Sequence, residues 1–252
     1  MYKIPATTLF LGKNLVFLPE CHSTNDLALQ MSQQSTTPEG TVVITDNQIS
    51  GRGQRGNTWE AQKGLNFTLS IILKPSTLTI RDQFYLNIFT SLAIADYVKS
   101  KSHATIRIKW PNDILVDGKK LCGILIENQI QGNKFSNSII GIGLNMNQKT
   151  FSVSTATSLS VVLGEELDLH VELEFLLQKL EARYLQLRSQ QYEALMNDYL
   201  SNLHWLNEKH SFISQEVEFE GTIDGVDEVG RLKIVTADGE RYFGLKEVTY
   251  GY

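Results

Sequence analysis

Gln48-Ile49-Ser50-Gly51-Arg52-Gly53-Gln54-Arg55-Gly56-Asn57-Thr58-Trp59 is the stretch on which the reading of the whole chain turns. Gly51 to Gly56 spells Gly-x-Gly-x-x-Gly, which in a dinucleotide-binding fold needs a strand before it, a helix after it and an acid about 20 residues further on. The strand is there: Thr41-Val42-Val43-Ile44-Thr45 is β-rich and follows a Pro38-Glu39-Gly40 turn. The helix is not. Asn57-Thr58-Trp59-Glu60 leads into Leu65 to Leu73, whose apolar residues alternate and then run together as in a strand, and no acid falls between Glu60 and Asp82. A Gly-Lys-Ser/Thr phosphate loop is absent, and so are the His-Arg-Asp and Asp-Phe-Gly segments of a kinase. The loop therefore joins two strands, and three familiar phosphate-binding labels fail.

Its physical chemistry still carries information. Three glycines in six residues let the backbone reach positive φ and turn several N–H groups toward one point, an anion nest. Arg52 and Arg55 add planar, permanently charged donors suited to phosphate or carboxylate. The alternative reading is a surface loop with two solvated arginines.

Upstream, Cys21-His22-Ser23-Thr24-Asn25-Asp26 precedes Leu27 to Met31, which is a helix N-cap signal. Downstream, three- and four-residue apolar spacing predicts a helix over 84–98, with Lys99 and Lys101 suiting its negative end. Thr105 to Trp110 reads as a strand, and Lys109-Trp110-Pro111-Asn112-Asp113 follows it. Ile114 to Val116 and Leu121 to Ile126 then flank the hairpin signal Asp117-Gly118. Lys119 and Lys120 point to opposite faces of that hairpin, so one of them can face a pocket. Ser138 to Leu144 is a further strand whose Gly141 and Gly143 permit close approach. Leu169 to Leu203 has helical spacing that falters at 188–191, which predicts two helices. After Trp205, closely spaced alternating segments (216–223, 231–236, 240–243 and 247–250), with turns at Asp224-Gly225 and Asp238-Gly239, predict a small barrel. The division expected is 1–204 and 205–252.

Composition sets the outer limits. The chain has 252 residues, 42% of them hydrophobic, and a formal charge of −5. That balance supports a packed core and argues against nucleic acid as a partner, whose binders are basic overall or along one face. No apolar run approaches the roughly 20 residues that span a bilayer, and the first residues do not form a secretion signal, so a cytoplasmic protein is expected. Two separated cysteines and five scattered histidines make neither a disulfide framework nor a metal knuckle.

Taken in order, Ser23-Thr24-Asn25-Asp26, the Gln48–Trp59 loop, Lys109-Trp110-Pro111-Asn112-Asp113, Lys120-Leu121-Cys122-Gly123-Ile124-Leu125-Ile126-Glu127 and Gly141-Ile142-Gly143-Leu144-Asn145-Met146-Asn147 resemble the biotin–protein ligases. The resemblance covers roughly residues 20–160; the terminal β-region matches that family's SH3-like domain more weakly. It implies an α+β fold of the class II synthetase type: a mixed, mostly antiparallel sheet packed with helices, followed by a small SH3-like β-barrel. It implies an ATP- and Mg²⁺-dependent enzyme that joins biotin to AMP and passes the biotinyl group to a lysine on the biotin carboxyl carrier domain of a carboxylase. About 20 residues precede the Ser-Thr-Asn motif, too few for a three-helix DNA reader. The resemblance is to the ligase-only form.

Residue by residue, the resemblance assigns Ser23, Thr24, Asn25, Gln48, Gln54 and Gly123 to biotin. Gly51, Arg55, Trp59, Asn112 and Asn145 go to the adenylate. Arg52 and the Gly53 backbone would lie over the carboxylate and phosphate, and Lys120 would contact both substrates in the leading catalytic role. Asp113 would act as base for the incoming lysine. No protein ligand for a metal is implied, since Mg²⁺ is held by the phosphates. Cys122 is a small packed residue and His22 a neighbour without a chemical role.

One departure matters: most members carry Arg where this chain has Gln54. Gln keeps hydrogen bonding but drops a charge beside the intermediate. Faster escape of free biotinyl-AMP is therefore expected than from an Arg-containing relative, and equal dissociation rates would overturn that. The rival readings are a lipoate-type protein ligase, which shares the adenylation chemistry, and a non-catalytic module binding biotin or a nucleotide.

Overall fold

The computed structural model describes residues 2–251. Its elements run β1 Leu15–Leu18, α1 Thr24–Ser32, β2 Thr41–Thr45, β3 Phe67–Leu73, α2 Tyr85–Lys99, β4 Ile106–Lys109, β5 Asp113–Val116, β6 Lys119–Gln131 and β7 Lys134–Leu144. There follow α3 Leu159–Leu163, α4 Leu169–Arg188, α5 Tyr192–Asn202, and the strands β8 Lys209–Ser214, β9 Val217–Val226, β10 Leu232–Thr236, β11 Gly239–Phe243 and β12 Thr249–Tyr250.

The first seven strands form one sheet in the order β1-β2-β3-β7-β6-β5-β4. Only β1 and β2 pair in parallel; the other pairings are antiparallel. Alternation along the buried strands feeds two apolar layers. Val42, Ile44, Leu69, Ile71 and Ile140 join the main core with α2, α4 and α5, whereas Val43, Ile72 and Ile139 pack with Ala28 of α1 on the other face. α2 is buried around most of its circumference, as a helix must be when it lies between a sheet and two further helices. The Ser23 hydroxyl accepts from the Asp26 N–H and caps α1, as the sequence predicts. α4 and α5 break where the spacing falters, with Gln190 at φ 58°. No helix among the described residues is long and apolar enough to cross a membrane.

The remaining strands form a second sheet in the order β11-β10-β9-β8-β12. The expected barrel is thus a five-stranded antiparallel sheet, with no pairing between its end strands among the described residues. β8 is absent from the sequence reading, as are α3 and the first residues of β7. The expected turn at Asp224-Gly225 is corrected: Lys233 pairs with Gly225 and Ile234 with Ile223, so Asp224 bulges out of a continuous β9. Its carboxylate pairs with Lys233 across the ladder at 2.8 Å, and the chain turns instead at Asp227–Gly230.

That Asp227–Gly230 turn docks the second sheet on the first. The Trp110 indole N–H donates to the Gly230 carbonyl at 2.9 Å, and a Cβ at residue 230 would meet the Phe84 ring at 2.2 Å. His204 also bridges the sheets, its N–H donating to Ile108 O at 2.8 Å while its ring stacks on Trp205. Burial, then the nearby Lys109 charge, lowers its pKa to about 4. A histidine so depressed is neutral in the fold but takes a proton near pH 6.5 once unfolded. Stability is therefore full above pH 6.5 and falls as pH drops toward 4, by at most about 3 kcal/mol. Thermal melts from pH 7 to 4 should show that loss, and His204→Gln should flatten it; an unchanged slope would refute the assignment.

Candidate active site

The α1-facing side of the large sheet is bare where its central strands meet. Gly123 and Gly143 are direct partners, and Gly141 pairs with both Ser70 and Leu125. Because these three glycines project no side chains of their own, a cavity of about 250 Å³ forms between the sheet, the N-terminus of α1 and the loop 48–59. Ser23, Thr24, Asn25, Gln48, Arg52, Gly53, Gln54, Trp59, Asn112, Asp113, Lys120 and Gly123 all line it. Three segments far apart in sequence thus converge, and the cations at 52 and 120 share one cavity.

Gly51 and Asn145 stand outside its wall. Gly51 works through contact: a Cβ there would lie 2.3 Å from the Trp59 carbonyl oxygen, and the two residues bond Trp59 N to Gly51 O at 3.0 Å. Asn145 is buried, and its Nδ2 donates to Thr157 O at 2.9 Å, while Thr157 N and Thr155 O bond the Lys120 backbone. Asn145 therefore supports the strand that carries Lys120 rather than facing the cavity. Gln54 opens a short 3₁₀ turn with Arg55, whose side chain falls outside the described residues.

At the floor, the Trp59 ring lies across the glycine pair. A Cβ at Gly143 would meet Trp59 Cε2 at 2.3 Å and one at Gly123 would meet Cζ3 at 3.0 Å. The Trp59 indole N–H is buried without a partner among the described residues, so it has a donor to give. The Lys120 ammonium sits 2.8 Å from Asp113 Oδ1 and 5.7 Å from the Trp59 ring centroid. Lys120 faces the cavity and Lys119 is exposed, as alternation requires. The adjacent Cys122 is fully buried, and burial pushes its thiol well up, so it stays a protonated apolar filler.

A second wall is a relay of polar side chains. Gln48 Oε1 accepts the Thr24 backbone N–H at 2.8 Å, tying the glycine loop to α1. Ser70 Oγ lies 2.6 Å from Asn25 Oδ1 and 2.7 Å from Thr24 Oγ1. An amide oxygen has no proton to give, so Ser70 donates to Asn25 and accepts from Thr24. Asn25 Nδ2 then donates to Glu127 Oε2 at 2.7 Å, and that same oxygen takes Arg52 Nη2 at 3.0 Å. Arg52 Nη2 also meets Asp26 Oδ1 at 2.5 Å.

Sequence reasoning missed Thr68, Ser70, Leu125 and Lys246 as members of this site. Thr68 and Ser70 had a signal: two hydroxyls at i and i+2 in an otherwise apolar buried strand share one face and need partners. Lys246 comes from the loop before β12 in the second sheet and lines the cavity; nothing local in its sequence marks it. Among the described residues no cluster of three or more His, Cys, Asp or Glu is placed to hold a metal.

The family model for the biotin/lipoate A/B protein ligase family matches residues 18–145, which spans both walls of the cavity. Among curated relatives, the bifunctional ligase/repressor BirA of Bacillus spizizenii is 34% identical over 182 residues, covering 70% of this chain and 55% of the relative. The biotin–[acetyl-CoA-carboxylase] ligase of Mycobacterium tuberculosis is 31% identical over 181 residues, covering 70% and 66%. The chain spans about half the length of the first of these relatives. Among solved structures, the biotin protein ligase from Aquifex aeolicus in complex with biotin and ATP superposes with a TM-score of 0.79 at 23% identity, over 95% of this chain and 100% of that one.

Proposed function

The chain belongs to the biotin/lipoate A/B protein ligase family, and from that premise we propose that it activates biotin with ATP and transfers the biotinyl group to a carrier-domain lysine. In the first step a biotin carboxylate oxygen attacks the α-phosphorus of MgATP, forming biotinyl-AMP and releasing pyrophosphate. In the second the ε-amine of the acceptor lysine attacks the acyl carbon, an amide forms, AMP leaves and the amine loses a proton.

The observation that carries this reading is the placement of Arg52 and Lys120 on one cavity. The first step brings like charges together. Two unit charges about 4 Å apart repel by about 4 kcal/mol at an effective dielectric of 20, and one cation at similar distance offsets roughly one such term. A carboxylate meeting a triphosphate needs several cations, fixed in advance so that none has to be recruited during reaction. Arg52 and Lys120 supply two, and Mg²⁺ arrives with the phosphates. The cavity beside the Trp59 ring, which lies on the Gly123 and Gly143 backbone, accepts the bicyclic ring of biotin, and Ser23, Thr24, Asn25 and Gln48 offer hydrogen bonds to its polar end. Trp59 presents a ring face and a free N–H to the adenylate, with Asn112 beside it. Asp113 accepts the proton of the incoming lysine, whose ordinary pKa near 10.4 keeps it charged at neutral pH. The acceptor is the carrier domain of a biotin-dependent carboxylase, the setting is cytoplasmic, and residues 205–252 act as a second unit that brings Lys246 to the cavity.

Biotin-dependent ATP–pyrophosphate exchange tests this directly. Exchange with biotin and none with lipoate is the expected result. Exchange driven by lipoate, or by neither acid, would overturn it.

A further inference from the structure

Arg52 is not free in this fold. One nitrogen of its guanidinium touches two carboxylates from different elements, Asp26 at 2.5 Å on the first turn of α1 and Glu127 at 3.0 Å on β6. The two are not equivalent. The Glu127 side chain is 30% exposed, and its Oε2 is itself fixed by Asn25 Nδ2 at 2.7 Å, which Ser70 holds from the opposite side. The Asp26 side chain is 56% exposed and stands at the rim. A guanidinium has several N–H donors in a rigid fork, so it can keep one carboxylate while exchanging another for an incoming anion.

We propose that Asp26 and Glu127 are positioning residues for Arg52 with opposite duties: Glu127 fixes the guanidinium at the cavity mouth, and Asp26 occupies it until the anionic substrate displaces that carboxylate. This rests on the adenylation reading above. Asp26 therefore competes with substrate for Arg52, whereas Glu127 aims Arg52 at substrate. Removing a competitor tightens binding, and removing an anchor weakens catalysis. A pair serving stability alone would show neither split.

The test is steady-state biotin-dependent exchange on the full chain and on Asp26→Asn, Asp26→Glu and Glu127→Gln. Asp26→Asn should lower KM for biotin or for ATP about two- to fivefold, the range expected of a solvent-exposed ion pair, with kcat within about twofold. Asp26→Glu, which restores the charge, should return KM toward the original value. Glu127→Gln keeps an acceptor for Asn25 but loosens Arg52, and should lower kcat about tenfold or more without lowering either KM. An Asp26→Asn enzyme with raised or unmoved KM values would overturn the proposal, as would both variants shifting the same parameter in the same direction. If Glu127→Gln melts below the assay temperature, the two Asp26 variants decide alone. Absence of exchange by the unaltered chain would sink the adenylation reading itself, which separates that failure from this one.

Discussion

Replacing Lys120 by alanine is expected to slow biotin-dependent exchange about 10²–10³-fold in kcat while leaving the fold intact, the usual cost of removing one fixed donor from a developing charge. The fold should survive because the backbone of Lys120, not its side chain, holds the neighbourhood: its N–H donates to Thr155 O at 2.7 Å and its carbonyl accepts from Thr157 N at 2.9 Å. The ammonium, by contrast, is spent on the cavity, 2.8 Å from Asp113. Its loss removes a cation and leaves the Asp113 carboxylate facing two anionic substrates. Each such pair about 4 Å apart adds about 4 kcal/mol of repulsion at an effective dielectric of 20. Adding Asp113→Asn to Lys120→Ala should therefore recover KM for ATP but not kcat, since repulsion is relieved while the catalytic charge stays missing. Lys120→Arg should fall between, keeping charge but not reach. Exchange by Lys120→Ala within about tenfold of the unaltered chain would remove Lys120 from the leading role. Full-rate transfer from preformed biotinyl-AMP by Asp113→Asn would likewise remove Asp113 as base.

Much of this arrangement is legible in sequence because it rests on local chemistry. The Ser23 cap, the Asp117-Gly118 turn and the break after Arg188 are each decided by a few adjacent residues, and each stands where its residues predict. The loop 48–59 is legible for another reason: glycines and arginines so concentrated have few structural uses. What sequence does not reveal is long-range pairing. Asp224-Gly225 satisfies the chemistry of a turn, yet the pairing of Ile223 with Ile234 and of Gly225 with Lys233 keeps it in strand and makes Asp224 a bulge. The ties between Asn25 and Glu127, and between Arg52 and Asp26, join residues with no common motif spacing, and only the sheet order brings them together. Lys246 is the extreme case, supplied from a loop of a second sheet that meets the first through contacts such as the Trp110 to Gly230 hydrogen bond.

Gly141→Ala is expected to damage both stability and activity, and more than its small size suggests. A Cβ there would lie 2.3 Å from Asn25 Oδ1, 2.9 Å from its Cγ and 3.0 Å from Nδ2. Neither side can give way cheaply. The backbone of β7 is held on both flanks, by Ser70 of β3 and Leu125 of β6, and the Asn25 amide is pinned by Ser70 and Glu127. Overpacking of this kind costs about 1–3 kcal/mol, which lowers the melting temperature of a chain this size by several degrees. Activity should fall at least tenfold, because pushing Asn25 aside unseats Glu127 and with it Arg52, and small misplacements of a reacting geometry are costly. Gly143→Ala is the contrast. Its Cβ would meet Trp59 Cε2 at 2.3 Å, a side-chain ring from the loop 48–59 rather than a strand of the sheet, so exchange should suffer with a smaller change in the melt than Gly141→Ala gives. A second substitution separates clash from strand effects: Asn25→Gly in the Gly141→Ala background should restore the melt and leave exchange impaired. If Gly141→Ala melts and turns over as the unaltered chain does, the relay from β7 through Asn25 and Glu127 to Arg52 does not hold the cavity together.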